Sequence, residues 1–384
     1  MQYYLANMNS FNEEISYKLG LIRNALSETG ATGARLRGTD WFAWATAGAS
    51  NTVLLAAETG VAEVLVTAEA AWILTDEIEA QRLLDEELPG IDGSVNCLYK
   101  LYINPWADST ARESFVREVT CGGKILSDSP TSNQSLLPLS LVYKKRVLMP
   151  SELERYRRVG RLASEAMTEV LSSVQPSWTE YQLAGAGAEA LWSRGLHPAL
   201  TLVAGERRLP LYRHATPKGE TIGRAAMLVF CARGYGMYAN LTRFVCFGRM
   251  QASVEMRNFA SLHCHVHEIE AEALNLCLPG TPLNAVYDAL AQAYRQHGYP
   301  QAIRQHHQGG ITGYLSRETI ANSTTTEALT GNMTVAWNPS LPGAKIEDTF
   351  VILKDGGLEN LTFDPKWPSV KVVDRDRPVP LEIE

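Results

Sequence analysis

His306-His307-Gln308-Gly309-Gly310, then Trp337-Asn338-Pro339-Ser340, then Glu347-Asp348-Thr349 are the three stretches from which the rest of the chain can be read. Two of them flank β-prone runs, Met333 to Trp337 and Thr349 to Leu353, that suit buried strands. Side chains alternate along a strand, so Glu347 and Thr349 should share a face while Asp348 points away. His306 and His307 should point to opposite sides if their segment is extended. The glycine pair behind them suggests a close approach of backbone to a ligand or to another strand.

Upstream, two further strand-like runs, Met227 to Ala232 and Thr242 to Phe247, precede two helical stretches, about Ser253 to Leu276 and Pro282 to His297. The breaker Leu278-Pro279-Gly280-Thr281 separates those helices. An earlier helix pair starts at two expected capping boxes, Ser151-x-x-Glu154 and Thr179-x-x-Gln182, and the second member stops at Gly195. Two helix pairs, each followed by strands, suggest a curved sheet backed by helices, an α+β domain spanning 150–384.

The first 145 residues alternate helix and strand and suggest an α/β domain, with a boundary near Val142 to Pro150. Ser10-x-x-Glu13 reads as a capping box ahead of Ile15, Leu19, Ile22 and Leu26 at helical spacing. Val61 to Thr67 and Ala71 to Thr75 read as strands, and Thr75-Asp76-Glu77-Ile78-Glu79 as the acidic start of a helix.

A chain of 384 residues can bury the cores of two domains. Its net charge of -7 argues against a nucleic-acid partner, and the basic clusters Lys144-Lys145-Arg146 and Arg155 to Arg161 read as solvated faces. No run approaches a membrane span, and Met1 to Ser10 carries no secretory pattern. The six cysteines, Cys97, Cys121, Cys231, Cys246, Cys264 and Cys277, form no zinc or disulfide pattern. A cytoplasmic location is expected.

Together these stretches resemble the pita-bread metallopeptidases, the superfamily of prolidase, aminopeptidase P and creatinase. Arg213-His214-Ala215-Thr216-Pro217 resembles its first-His segment, and Asn240-Leu241-Thr242-Arg243 its metal-bearing hairpin. Trp44 to Gly48 and Leu74-Thr75-Asp76 resemble the accessory domain of the creatinase and prolidase branch. The resemblance implies a pita-bread C-terminal domain, and a homodimer in which Trp41, Phe42 and Trp44 are candidate walls of a neighbour's pocket. It places five metal ligands at Val229, Asn240, Gly310, Asn338 and Glu347, of which Glu347 alone is a carboxylate. A dinuclear site needs bridging carboxylates, so no metal or other cofactor is expected. A shifted register would make His307 a ligand. His263, His267 and Glu270 share a helical face and form another possible ligand set, against which stands an ordinary packing role.

Creatinases cleave a C–N bond without metal, and His214 occupies the position of their general acid/base. Glu347 would orient His214 or meet a cationic nitrogen, and His306 would be a second proton carrier or oxyanion donor. Arg317 follows His306 by the eleven residues at which creatinases carry a carboxylate clamp, with Arg243 as the alternative clamp. Asn240, Asn338 and His307 complete the expected pocket for a small polar substrate bearing a carboxylate, a small zwitterion being slightly favoured over a polyanion. Cys231 reads as a packing residue. Two alternatives remain: a metal-dependent Xaa-Pro aminopeptidase or dipeptidase, and a non-catalytic binding module.

Overall fold

The computed structural model describes residues 8–88, 98–251 and 253–384. Residues 1–7 and Cys97, on which the secretion and disulfide expectations partly rest, lie outside them. The chain divides into two compact units, Met1–Glu152 and Leu153–Glu384.

In the first unit α1 (Met8–Thr29) buries Phe11, Ile15, Leu19, Ile22 and Leu26, the stripe that helical spacing dictates. Ser10 already lies inside this helix and does not cap it. There follow β1 (Gly33–Gly38), α2 (Thr39–Ala45), β2 (Thr59–Val66), β3 (Ala71–Asp76), β4 (Lys100–Asn104), α3 (Ser109–Val119), β5 (Ile125–Ser127), β6 (Gln134–Leu136) and α4 (Leu139–Lys145). The six strands form one mixed sheet in the order β4-β3-β2-β1-β5-β6. After β3 the Asp76 side chain accepts from Ile78 and Glu79 N, so the acidic run makes a turn. Only a short helix, Ala80–Arg82, follows it and continues as a π-helix, Leu83–Glu87. Trp41, Phe42 and Trp44 are buried in the unit's own interior, with the Lys18 and Lys145 ammonium groups over Trp44 and Trp41. Core packing therefore removes them as walls of a neighbour's pocket.

The second unit opens with α5 (Pro150–Ser173) and α6 (Glu180–Trp192). Thr179 and Gln182 form the expected reciprocal capping box. Ser151 does not cap: the Glu152 carboxylate accepts from Met149 N, and the Ser151 hydroxyl donates to Glu14. Behind these helices lie β7 (His197–Gly205), β8 (Ala225–Gly234) and β9 (Met237–Phe247). The second helix pair, α7 (Val254–Asn275) and α8 (Leu283–Gln296), leads to β10 (Gly309–Thr312), β11 (Thr319–Ile320) and β12 (Thr334–Trp337). Then come β13 (Ser340–Leu341), β14 (Ala344–Lys345), β15 (Asp348–Ile352), β16 (Leu358–Asn360), β17 (Ser369–Val372), β18 (Arg375–Pro378) and β19 (Leu381–Ile383).

Two larger sheets result, β19-β9-β8-β7 and β11-β10-β12-β15-β16, beside the two-stranded β13-β14 and β17-β18, and each larger sheet packs an apolar core against its helix pair. A bridge between Thr242 and Glu347 joins them edge to edge. That seam positions the candidate site.

Candidate active site at the seam of two sheets

Strand register places the expected site residues. Val229 pairs with Thr242, Thr242 with Glu347, and Trp337 with Asp348, so Asn338 is the next position across from Glu347. One row on the sheet face is therefore Asn338, Glu347, Thr242 and Val229. Two residues along lies the row Gly310, Ala336, Thr349, Asn240 and Cys231, by the pairs Gly310 with Ala336, Ala336 with Thr349 and Cys231 with Asn240, and by the Asn240 N–H bond to Thr349 Oγ1. Residues two apart on a strand share a face, so all five positions at which the resemblance places ligands lie in two adjacent rows.

Gly309 and Gly310 are required by the backbone. A Cβ on Gly310 would stand 2.1 Å from Thr319 O, and one on Gly309 2.1 Å from Ala336 O. The glycine pair thus serves strand packing, and no side chain fits at 310 without moving β11.

Glu347 is 2% exposed. Its Oε1 accepts from the Arg317 guanidinium, and its Oε2 accepts from Thr242 Oγ1 at 3.1 Å and lies 3.6 Å from Lys345 Nζ. Burial pushes this carboxyl up, but Lys345 and Arg317 outweigh it and hold the group below the usual carboxylate range. Glu347 is therefore bound to two cationic side chains and is not the orienting partner of His214.

That partner is His306: the two Nε2 atoms lie 2.8 Å apart. His307 stacks on His306, with ring centroids 4.4 Å apart and planes at 25°. The expectation that the two rings would point oppositely fails because the chain bends at His306 instead of running extended. One ligand atom from each of His214, His306 and His307 lies within 4.8 Å of the others, the sole such cluster among the described residues. Burial lowers all three imidazoles. His306 falls to about 2 with Lys345 and the neighbouring histidines adding to the effect, and His307 to about 4 with Arg317 adding to it. His214, at the surface end of the cluster, is lowered by burial and then by Lys345. All three are neutral bases near pH 7.

The two amides complete the site. Asn240 Nδ2 donates to Thr312 Oγ1 at 2.9 Å, and that hydroxyl in turn donates to Leu315 O. The donation fixes which way the amide faces and leaves Asn240 Oδ1 buried without a partner. Asn338 Oδ1, Ser340 Oγ, Arg317 Nε and the Nδ1 atoms of His306 and His307 are likewise buried and unpartnered. These polar atoms are open to ordered water or to a bound ligand.

Two expectations are corrected. Arg243 is no substrate clamp: it is 4% exposed and bound to Asp348 and Thr362 O behind the sheet. Arg317 does reach the site, but Glu347 takes part of its guanidinium. His263, His267 and Glu270 do not converge and take the ordinary packing role set against ligation. His263 is caged by Phe244 and Phe259, His267 meets Pro378 O, and Glu270 binds Arg377 through both oxygens. Burial raises the Cys231 thiol to about 12, so it is a packing residue and no nucleophile. Lys345 and Thr242 each lie two residues from a named site position, Glu347 and Asn240, and strand alternation brings them to the same face.

The comparisons agree with this architecture. Among the curated proteins none matches the chain. The Xaa-Pro dipeptidase of Bacillus anthracis superposes with a TM-score of 0.74 at 19% identity, over 96% of this chain and 100% of that one. The prolidase of Pyrococcus horikoshii OT3 gives 0.73 at 17%, over 90% and 98%. The N-terminal domain of FACT complex subunit SPT16 from Cicer arietinum (chickpea) gives 0.69 at 12%, over 92% and 96%. The profile of metallopeptidase family M24 matches residues 154–354. With two half-sheets backed by helix pairs and that match across most of the second unit, the chain belongs to metallopeptidase family M24 and carries its pita-bread fold.

Proposed function

We propose that the chain hydrolyses a C–N bond of a small polar, carboxylate-bearing substrate without a metal ion, with His214 as general acid/base. One observation carries the reading: the imidazole pair His214–His306 is intact, while the one carboxylate beside it is already bound to Arg317 and Lys345. The ions implied by the family do not fit these residues. Asn240 and Asn338 are neutral amides, Val229 is aliphatic, and Gly310 has no room for a ligand side chain.

The 2.8 Å contact between His306 Nε2 and His214 Nε2 needs one N–H between the two rings; with that proton on His214, its Nδ1 is the free base and His306 keeps an Nδ1–H to donate. His214 then takes a proton from water as the hydroxyl adds to the scissile carbon, and returns it to the leaving nitrogen. Neutral His306 and its neighbours supply polar groups to the oxyanion, and the excess charge of Arg317 and Lys345 favours its formation.

A second reading keeps a metal-dependent Xaa-Pro peptidase, and the proximity of three imidazoles favours it. Against it, the rings of His306 and His307 stack instead of converging on a point. The binding-module reading draws on a likeness to a domain of a FACT complex subunit. Elemental analysis of protein purified without added metal, followed by amide-hydrolysis assays in chelator, separates the three. Substoichiometric metal with chelator-resistant turnover is expected. Turnover appearing only with manganese, zinc or cobalt would establish the peptidase, and no turnover on any amide the binding module. The homodimer is likewise proposed, and light scattering at micromolar concentration tests it.

A further inference from the structure

We infer that this site is built for an anion bearing a neutral N–H, an N-acyl or N-carbamoyl amino acid, and discriminates against substrates with a free ammonium. The inference rests on the hydrolase reading and specifies its substrate class.

Charge comes first. Two cationic side chains, Arg317 and Lys345, face one carboxylate, Glu347, so one positive charge is in excess. The three imidazoles are neutral and add nothing near pH 7. The neighbouring acids are engaged elsewhere: Asp348 with Arg243 and Arg377, and Glu318 with Leu315 N. A substrate ammonium would enter a buried, net-positive site with no carboxylate free to receive it, which is strongly unfavourable. A carboxylate meets the opposite situation. Arg317 Nε is buried without a partner, and Lys345 is 6% exposed with its nearest acid 3.6 Å away. Both have donors to give.

The acceptors then choose the other end of the ligand. Asn240 Oδ1 and Asn338 Oδ1 are unpartnered on residues 0% and 2% exposed, and strand register sets them on one face with Glu347. Each accepts a hydrogen bond and carries no charge, which matches an amide or ureido N–H better than a cation. For an N-acyl amino acid the reaction balances simply. Water oxygen bonds the acyl carbon, and its proton passes through His214 to nitrogen as the C–N bond breaks. The acid proton follows, giving an acyl carboxylate and an amino acid with its ammonium.

The test is binding by calorimetry to full-length, chelator-treated protein, read separately from turnover. The probes are N-acetylglycine, N-carbamoylglycine, glycylglycine (free ammonium) and N-acetylglycinamide (no carboxylate). The first two should bind about tenfold or more tighter than the others, since each of the others leaves a buried group unpaired. Asn338→Asp, or Asn240→Asp if the first variant folds poorly, supplies the missing carboxylate and should move the preference toward glycylglycine by a similar factor. Glycylglycine binding the parent as tightly as N-acetylglycine would overturn the inference and leave metal-free hydrolysis standing. Binding of none of the four would overturn it as well. Chelator-resistant turnover of a free-amino peptide alone would do so while supporting the reading beneath it.

Discussion

His214 is the exposed member of a cluster in which His306 is buried and His307 half-buried, which suits a group that must exchange protons with substrate. Replacing it with alanine should lower turnover by about two to four orders of magnitude. Unchanged turnover would remove it from the mechanism. Its basicity is set from outside: burial and then Lys345 depress it. A general base works deprotonated, so activity should rise with pH and level off below the ordinary histidine value of about 6.5. Lys345→Met removes a positive charge from beside the imidazoles and should shift that acid limb upward. A pH–rate profile that does not move in the variant would deny the coupling. At this scale the sequence spoke unevenly. His214, His306 and the two amides were legible from motif order, and the structure brings them to one place. Arg243 misled because its partner Asp348 lies 105 residues away and behind the sheet. Lys345 stands two residues before Glu347, yet nothing local shows that the carboxylate would be buried between two cations.

The strand β10 is where backbone geometry governs the site. Gly310 has φ +149 and sits with its Cα against Thr319 O, so Gly310→Ala forces β10 and β11 apart. A loss of about 1–3 kcal/mol is expected, by denaturant unfolding, with turnover falling in step. A variant as stable as the parent would show that β11 yields without cost. Elements defined by local rules were the legible ones. Thr179 and Gln182 lie within one helical turn, and their box forms as read. Ser151 looked equivalent, yet Glu14, 137 residues away, receives its hydroxyl. Glu152 takes over the cap and also binds the buried Lys18, so a tertiary ion pair overrides a local signal. The acidic run after Thr75 likewise gave a turn because Asp76 spends its carboxylate on the two next amides.

For the molecule as a whole, acid stability is set by its buried histidines. Burial depresses His267 and His307 to about 4, His263 to about 3 and His306 to about 2. Each stays neutral in the fold while the unfolded chain binds a proton below about 6.5. Stability is therefore full above that pH and declines as pH falls toward the folded values. The loss approaches about 1.4 kcal/mol per pH unit for each histidine. His263 sits between two phenylalanines with its Nε2 unpartnered, so His263→Phe should lose less stability than the parent between pH 6.5 and 5. Identical losses in thermal melts would show that His263 does not contribute. The α+β character of the second unit was readable because hydrophobic period and helix stops recur along the chain. The seam between its sheets was not, because it depends on pairs such as Thr242 with Glu347 and Asn240 with Thr349, 105 and 109 residues apart. Under the metal-free reading, that seam also bears on descent. A lineage regaining a carboxylate at Asn338 would still lack ligands at Val229, Asn240 and Gly310, and one losing Arg317 or Lys345 first would strand a buried Glu347. No single substitution is then rewarded with an ion, so the change works as an evolutionary ratchet, free to diversify in substrate while closed to return.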